Sequence, residues 1–334
     1  MEERYRIGVK FFSLIIGLSL IFAITPGLAQ SSSNGAITGQ SHPVEGARVP
    51  DTARYLLELP ASPEQEKVEL GGSVTFIGTA TVIIRYAGLV ILTDPNFLYK
   101  GEYAHLGYGL ISKRLINPAI ELEDLPPIDL IILSHLEGDH SDPLVRERLD
   151  RNIPIVTTEE SAELLKEMGF VTRYPLKTWE SLVLKKGGAS VRVTAMPGRH
   201  GPPVAARLLP AVMGSMLEFK TCDSKLDYRM YVSGDTRVYD EIGEIPRRYP
   251  DVDLALLHLG GTRTLGLVTI TMDAAEGVKM MRIIGPRRAI PIHYNDYDAF
   301  KSPLSDFEKE VDKAGLQDRV IYLKHGDMYR FPAK

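Results

Sequence analysis

Ile131-Ile132-Leu133-Ser134-His135-Leu136-Glu137-Gly138-Asp139-His140 decides the fold. From Ile128 to Leu133 only Asp129 is polar, which reads as a buried strand. The strand stops at four candidate metal ligands within six residues: His135, Glu137, Asp139 and His140. Imidazole and carboxylate side chains suit zinc, iron or manganese. Ligands alternating on a turn after a strand converge on one point above the sheet edge. Gly138 leaves the backbone free to bend there. The competing reading is a polar loop with two solvent-facing histidines. Three downstream segments with the same strand-then-ligand form weigh against it.

Val191–Ala195 alternates as a strand and runs into Met196-Pro197-Gly198-Arg199-His200. Tyr228–Val232 ends in Ser233-Gly234-Asp235-Thr236, a carboxylate at a strand's C-terminal end. Ala289–Ile292 delivers His293, with Tyr294 and Asn295 following it as candidate substrate contacts. Leu254–Leu257 likewise leads to His258. Upstream, Val74–Ile77, Thr81–Tyr86 and Leu89–Thr93 are β-branched and aromatic and read as successive strands. The third stops at Asp94-Pro95, because proline removes a ladder donor. Asp94 then faces the place where His135 arrives. Each of these carboxylates also has a plain reading as a turn aspartate.

The helices carry their own signals. Asp142-Pro143 opens one, and Thr158 caps a second that ends at Gly169. Asp273 and Glu276 form a capping box for a third that Gly285-Pro286 ends. Ser302–Ala314 reads as a closing helix and Val320–Leu323 as a last strand. Asp51–Leu59 reads as a short helix. Strand, helix, strand, helix builds layered α/β architecture.

Two loops stand out. Residues 96–127 hold Phe97, Tyr99, Tyr103, His105, Tyr108 and Pro126-Pro127. These aromatics either wall a pocket or cover the core. Residues 201–218 are apolar and broken by three prolines. Leu208, Leu209, Val212 and Met213 there either line an apolar substrate wall or fill the core. His325 is assigned no role.

The run from His135 to His140 resembles the His-x-His-x-Asp-His signature of the metallo-β-lactamase superfamily. It looks most like the branch holding ascorbate-6-phosphate lactonase and the N-acyl phosphatidylethanolamine phospholipases. The resemblance covers roughly residues 68 to 330. It departs at Glu137, where the family usually has histidine, and at Thr79, where relatives often show histidine or asparagine. It implies an α/β fold, a four-layered αββα sandwich with its ligands at one sheet edge. It implies His135, Glu137 and His200 around one metal and Asp139, His140 and His293 around another, with Asp235 between. Asp94 would orient a ligating imidazole and Asp139 would orient the nucleophile. His258 lies near the site by the same strand topology, as a catalytic or substrate residue or as a support behind the ligands, with metal ligation the lesser alternative. Leu209, Met213 and Tyr294 are the candidate substrate contacts.

The implied chemistry is hydrolysis by a metal-bound hydroxide on an ester, lactone or phosphodiester, lipid-like substrates included. One or two divalent ions are expected, zinc first, with manganese or iron favoured by the oxygen donor of Glu137. The alternatives are a metal-binding protein without turnover and an iron-dependent oxidoreductase.

Totals narrow the partners. The chain has 334 residues and a net charge of −4, with no basic stripe to suit nucleic acid. A single cysteine, Cys222, excludes an intrachain disulfide and a thiolate-rich metal site. Arg4, Arg6 and Lys10 precede the uncharged run Phe11–Thr25 and then Pro26-Gly27-Leu28-Ala29. That is the pattern of a secretory signal peptide cleaved after Ala29. An uncleaved anchor from Ile7 to Leu28 is the alternative. The expected organisation is a signal or membrane anchor over 1–29, a linker and extension over 30–67, and a hydrolase domain over 68–334. The expected location is exported, periplasmic or extracellular, or membrane-anchored.

Overall fold

The computed structural model describes residues 53–61, 71–107, 110–221, 226–264 and 268–332. The signal or anchor segment, most of the linker, Tyr108 and Cys222 lie outside the described residues.

Two seven-stranded sheets form the centre. Across one sheet the strands run Met328–Phe331, Gly72–Gly78, Thr81–Tyr86, Leu89–Thr93, Leu130–Ile132, Ile155–Thr157 and Arg173–Pro175. Across the other they run Tyr55–Leu59, Ser181–Lys186, Ala189–Met196, Gly214–Thr221, Tyr228–Val232, Leu254–His258 and Arg288–Ile292. The period-two alternation of each strand sorts its side chains between layers. Val82 and Ile84 meet Leu182, Val193, Leu217 and Leu254 between the sheets. Ile83 points outward and packs with Leu92, Ile131 and the helix residues Val145 and Leu165. Tyr231, Ala255 and Leu257 face the other way, against Ile245, Val278, Met281, Phe307 and Val311. The outer layers are α1 (Pro143–Arg148) and α2 (Glu159–Glu167) on one side. On the other are α3 (Glu244–Arg248), α4 (Ala274–Ile284) and α5 (Leu304–Ala314). This is the expected αββα order.

The capping signals act as read, with one change. Asp142, Thr158 and Asp273 accept the N–H groups of Val145, Ser161 and Glu276, and left-handed Gly285 closes α4. The Glu276 carboxylate, however, pairs with Arg237 rather than completing a capping box.

Two expectations are corrected. Tyr55–Leu59, read as helix, is a strand parallel to Ser181–Lys186. Tyr55, Leu57 and Leu59 are half-buried while Leu56 and Glu58 face water, a two-residue alternation too short to outweigh local helix propensity. The sheet therefore takes in residues from before position 68. Val320–Leu323, read as the last strand, makes only a single bridge from Val320 to Ala289. The closing strand is Met328–Phe331, paired with Gly72–Gly78.

Register sets up the site. Leu89–Thr93 and Leu130–Ile132 run parallel with Thr93 opposite Ile132, so Asp94 and Ser134 leave the sheet at one level. Tyr228–Val232, Leu254–His258 and Arg288–Ile292 are also mutually parallel, with His258 opposite Ile292. Asp235, His258 and His293 therefore emerge from one edge of the second sheet. Among the described residues, no helix is long and apolar enough to cross a membrane.

Candidate metal centre

Seven side chains meet in two adjoining groups. His135, Glu137 and His200 form one; Asp139, His140, Asp235 and His293 form the other. Glu137 Oε2 lies 3.6 Å from Nε2 of both His135 and His200. His140 Nε2 is 3.1 Å from Asp235 Oδ2, and His293 Nε2 is 3.3 Å from Asp139 Oδ2 and 3.6 Å from Asp235 Oδ2. The His135 and His140 rings, 4.1 Å between centroids, join the two groups. The structure brings together all seven side chains named from the sequence as candidate ligands; Asp235, expected between the two sets, groups with Asp139, His140 and His293.

The donors fit divalent ions. All seven residues are buried, none more than 4% exposed. His135 Nε2, Glu137 Oε1, Asp139 Oδ1, His140 Nε2, His200 Nε2 and Asp235 Oδ1 are buried without a hydrogen-bond partner. Burying such groups unsatisfied is costly, and a cation removes that cost. Nitrogen and oxygen ligands about 2.1 Å from a tetrahedral zinc stand roughly 3.4 Å apart, close to the spacings here.

The far nitrogen of every ligating ring is anchored. Nδ1 of His135 meets Ser134 Oγ at 3.0 Å. Nδ1 of His200 meets the Asp235 and Ile270 carbonyls at 3.1 and 3.2 Å, and Nδ1 of His293 the Leu259 carbonyl at 3.2 Å. Such contacts fix tautomer and aim Nε2 inward. Asp94 performs this service for His140 at 3.3 Å, not for His135 as the strand order suggested; Ser134 Oγ reaches both rings, at 3.0 Å from His135 Nδ1 and 3.3 Å from His140 Nδ1. Burial pushes the Asp94 carboxyl up, but His140 and His258 hold it below the ordinary carboxylate range. Glu137 behaves alike: burial raises it, yet His200 and His135 hold it near 2.

Three expected roles narrow. His258 is fully buried, with Nδ1 3.2 Å from Ser233 Oγ and Nε2 3.4 Å from Asp94. With both nitrogens near a partner it backs Asp94 from behind, the supporting role among those expected of it, and Asp94, His140 and His258 form a third close group of potential donors. Tyr294 donates its hydroxyl to the Leu323 carbonyl and sets its ring 6.0 Å from Phe76, so it packs beside a cavity shared with Asn295 and His325. Met213 belongs to the core between the sheets; its backbone N–H, given to the Ser134 carbonyl at 3.1 Å, is what serves the metal loop. Val212 is also buried. Leu209 is half-buried beside Gly201, and Leu208 is 64% exposed.

Gly138 serves close approach rather than bending. The long loop after Pro95 contains a hairpin, Tyr103–His105 with Ile111–Lys113, whose backbone presses on the metal loop. A Cβ at Gly138 would lie 2.6 Å from both N and O of His105. Gly138 N–H donates to that His105 carbonyl at 2.9 Å. Residues the sequence reading missed include Ser134 and Asp296. Asp296 sits three positions after His293, directly behind Tyr294 and Asn295.

Comparison with known proteins fits this centre. The beta-lactamase superfamily domain matches residues 91–294, and the chain belongs to that superfamily. A UPF0173 metal-dependent hydrolase of Archaeoglobus fulgidus is 30% identical over 247 residues, 70% of this chain and 97% of that protein. The UPF0173 protein YddR of Bacillus subtilis is 27% identical over 271 residues, 78% of this chain and 100% of that protein. The crystal structure of isothiocyanate hydrolase from Delia radicum gut bacteria matches with a TM-score of 0.65 at 20% identity, over 78% of this chain and 100% of that one. At that identity the likeness speaks to the fold alone.

Proposed function

We propose that the protein is a metal-dependent hydrolase whose substrate is an ester, lactone or phosphodiester bearing an apolar group. The six buried donor atoms without hydrogen-bond partners carry the first half of this reading. Divalent metal there would acidify water toward neutrality and polarise a carbonyl or phosphoryl oxygen. Asp139 Oδ1 has no hydrogen-bond partner, His140 Nε2 standing 3.9 Å away, while Oδ2 faces His293, which suits it to orient an attacking water. The buried walls exclude bulk water, so charges inside act strongly.

The apolar half rests on what flanks Glu137. Val204 and Leu208, 81% and 64% exposed, lie on the segment that follows His200. Tyr103 and Ile111, also exposed, lie on the hairpin whose Gly107 comes within 3.8 Å of Glu137 Oε1 at its Cβ position. Exposed apolar side chains on these two segments, with half-buried Leu209 next to Leu208, suit a substrate with an acyl or aromatic tail. Residues 1–29 would then export the domain or tether it to a membrane, which cell fractionation with and without that segment tests.

Purified protein should carry zinc, manganese or iron, and should cleave short- and long-chain esters, lactones or bis-aryl phosphodiesters. His135→Ala and Asp139→Ala should abolish turnover. Leu208→Ser with Leu209→Ser should weaken long-chain substrates more than short ones. Metal binding without turnover on any probe would favour the non-catalytic alternative. Equal loss for all chain lengths would remove the apolar half.

A further inference from the structure

The residues after His293 hold a carboxylate that the metal cluster does not use. Asp296 is fully buried. Its Oδ2 accepts the backbone N–H of Thr79 at 2.7 Å. Its Oδ1 lies 3.2 Å from His325 Nε2, an ion-pair contact without the alignment of a hydrogen bond. The Thr79 carbonyl accepts the backbone N–H of His293 at 2.6 Å. A continuous chain therefore runs His325, Asp296, Thr79, His293.

Two links in it are held in unfavourable backbone geometry. Thr79 has φ 52° and His293 has φ 59°, the left-handed region that a β-branched or bulky residue rarely enters. Such conformations persist only where surrounding contacts over-determine them. Asp296 supplies that contact for Thr79, and Thr79 supplies it for His293. The outer end is fixed as well. His325 Nδ1 donates to the Asn117 carbonyl at 3.0 Å, and its ring stands edge-on to Phe76 at 5.0 Å. Burial lowers the affinity of His325 for its proton, and the Asp296 carboxylate more than reverses this. The ring is 18% exposed and helps line a cavity of about 570 Å³ with Tyr294, Asn295 and Tyr322.

We propose that Asp296 and His325 are positioning residues for the metal ligand His293. They clamp the Thr79 turn, and its carbonyl holds the His293 backbone so that Nε2 faces Asp139 and Asp235. This rests on the metal-centre reading above. It assigns a role to a histidine that lies outside the ligand set.

Zinc titration of the full chain against a chromophoric chelator tests it, with folding followed by circular dichroism. Asp296→Asn and His325→Ala should each raise the zinc dissociation constant of the His293 cluster by roughly 10- to 100-fold, the usual cost of losing an outer partner. His200→Ala isolates that cluster by removing the other. His325→Gln keeps an N–H near the Nε2 position and should retain most of the affinity. Added imidazole, entering from the cavity, should restore His325→Ala. In a His293→Ala background both effects should vanish, as they must if they act through that ligand. Folded variants with unchanged zinc affinity would overturn the proposal. So would an affinity loss that persists in His293→Ala, which would mark a general structural role. Should Asp296→Asn fail to fold, the three His325 measurements decide alone. An unsubstituted chain that binds no zinc, manganese or iron would overturn the metal reading itself and this inference with it.

Discussion

Asp94 Oδ2 faces His140 Nδ1 at 3.3 Å, both groups fully enclosed by the two sheets. The opposite nitrogen of that ring points at Asp235. Asp94, the charged neighbour of Nδ1 beside the Ser134 hydroxyl at the same 3.3 Å, thus favours Nε2 of His140 as the nitrogen free for metal. Asp94→Asn offers either an oxygen or an amide nitrogen and no charge, so it should lower metal affinity by about 10- to 100-fold. His258→Gln, one contact further back, should cost less. Chelator competition on the two variants checks the order; a larger effect from His258→Gln would show that Asp94 is not the principal support.

Gly138→Ala should be severe. The added methyl carbon would sit 2.6 Å from two backbone atoms of His105, which cannot move aside as a flexible side chain would. Relief requires the hairpin or the metal loop to shift, a strain of about 1–3 kcal/mol. The urea midpoint should fall and bound metal should drop with it. Full metal content at unchanged stability would mean the hairpin yields freely.

Glu137→His should move the metal preference. Glu137 gives the first group two imidazoles and one carboxylate, a harder donor set than three imidazoles. The substitution should raise zinc occupancy at that group relative to manganese. Competition between the two metals, read by elemental analysis, measures the ratio. An unaltered ratio would show that this position does not set selectivity.

Alkaline stability should report a buried tyrosine far from the ligands. Tyr86 is enclosed and donates its hydroxyl to Asp227. Burial first, and Asp227 second, push that hydroxyl well above its ordinary value. A proton held more tightly by the folded chain stabilises it fully below the unfolded value of about 10, and this is lost as pH rises through the folded value. Tyr86→Phe has no such proton, so the stability gap between the two proteins should narrow above about pH 10. A gap that stays constant to the highest measurable pH would contradict this.

The ligands were legible because each follows an apolar strand directly, and parallel strands must deliver their ends to one edge. His135, His200, Asp235 and His293 could all be found that way. What lay hidden was pairing. Nothing in the spacing of Asp94 shows that it reaches His140 across the metal loop while Ser134 lies between His135 and His140. His258 has the same strand-then-histidine form as the ligands, yet Ser233 and Asp94 occupy both its nitrogens. Met213 and Tyr294 looked available because their neighbours in sequence touch the site, but their side chains turn into packing. Tyr55–Leu59 was misread because a five-residue edge strand takes its stability from Ser181–Lys186, more than 120 positions away.

Four of the seven ligands come from the loop after Leu130–Ile132, and three come from strand ends of the opposite sheet. An ion bound between them would be a rivet through two halves of the chain that otherwise adhere by apolar packing and a few hydrogen bonds, such as those from Met213 to Ser134 and from His293 to Thr79. Pulling the layers apart would mean breaking coordination bonds first. Metal supply should therefore govern how long this protein survives heat and proteases, independently of whether any substrate is present.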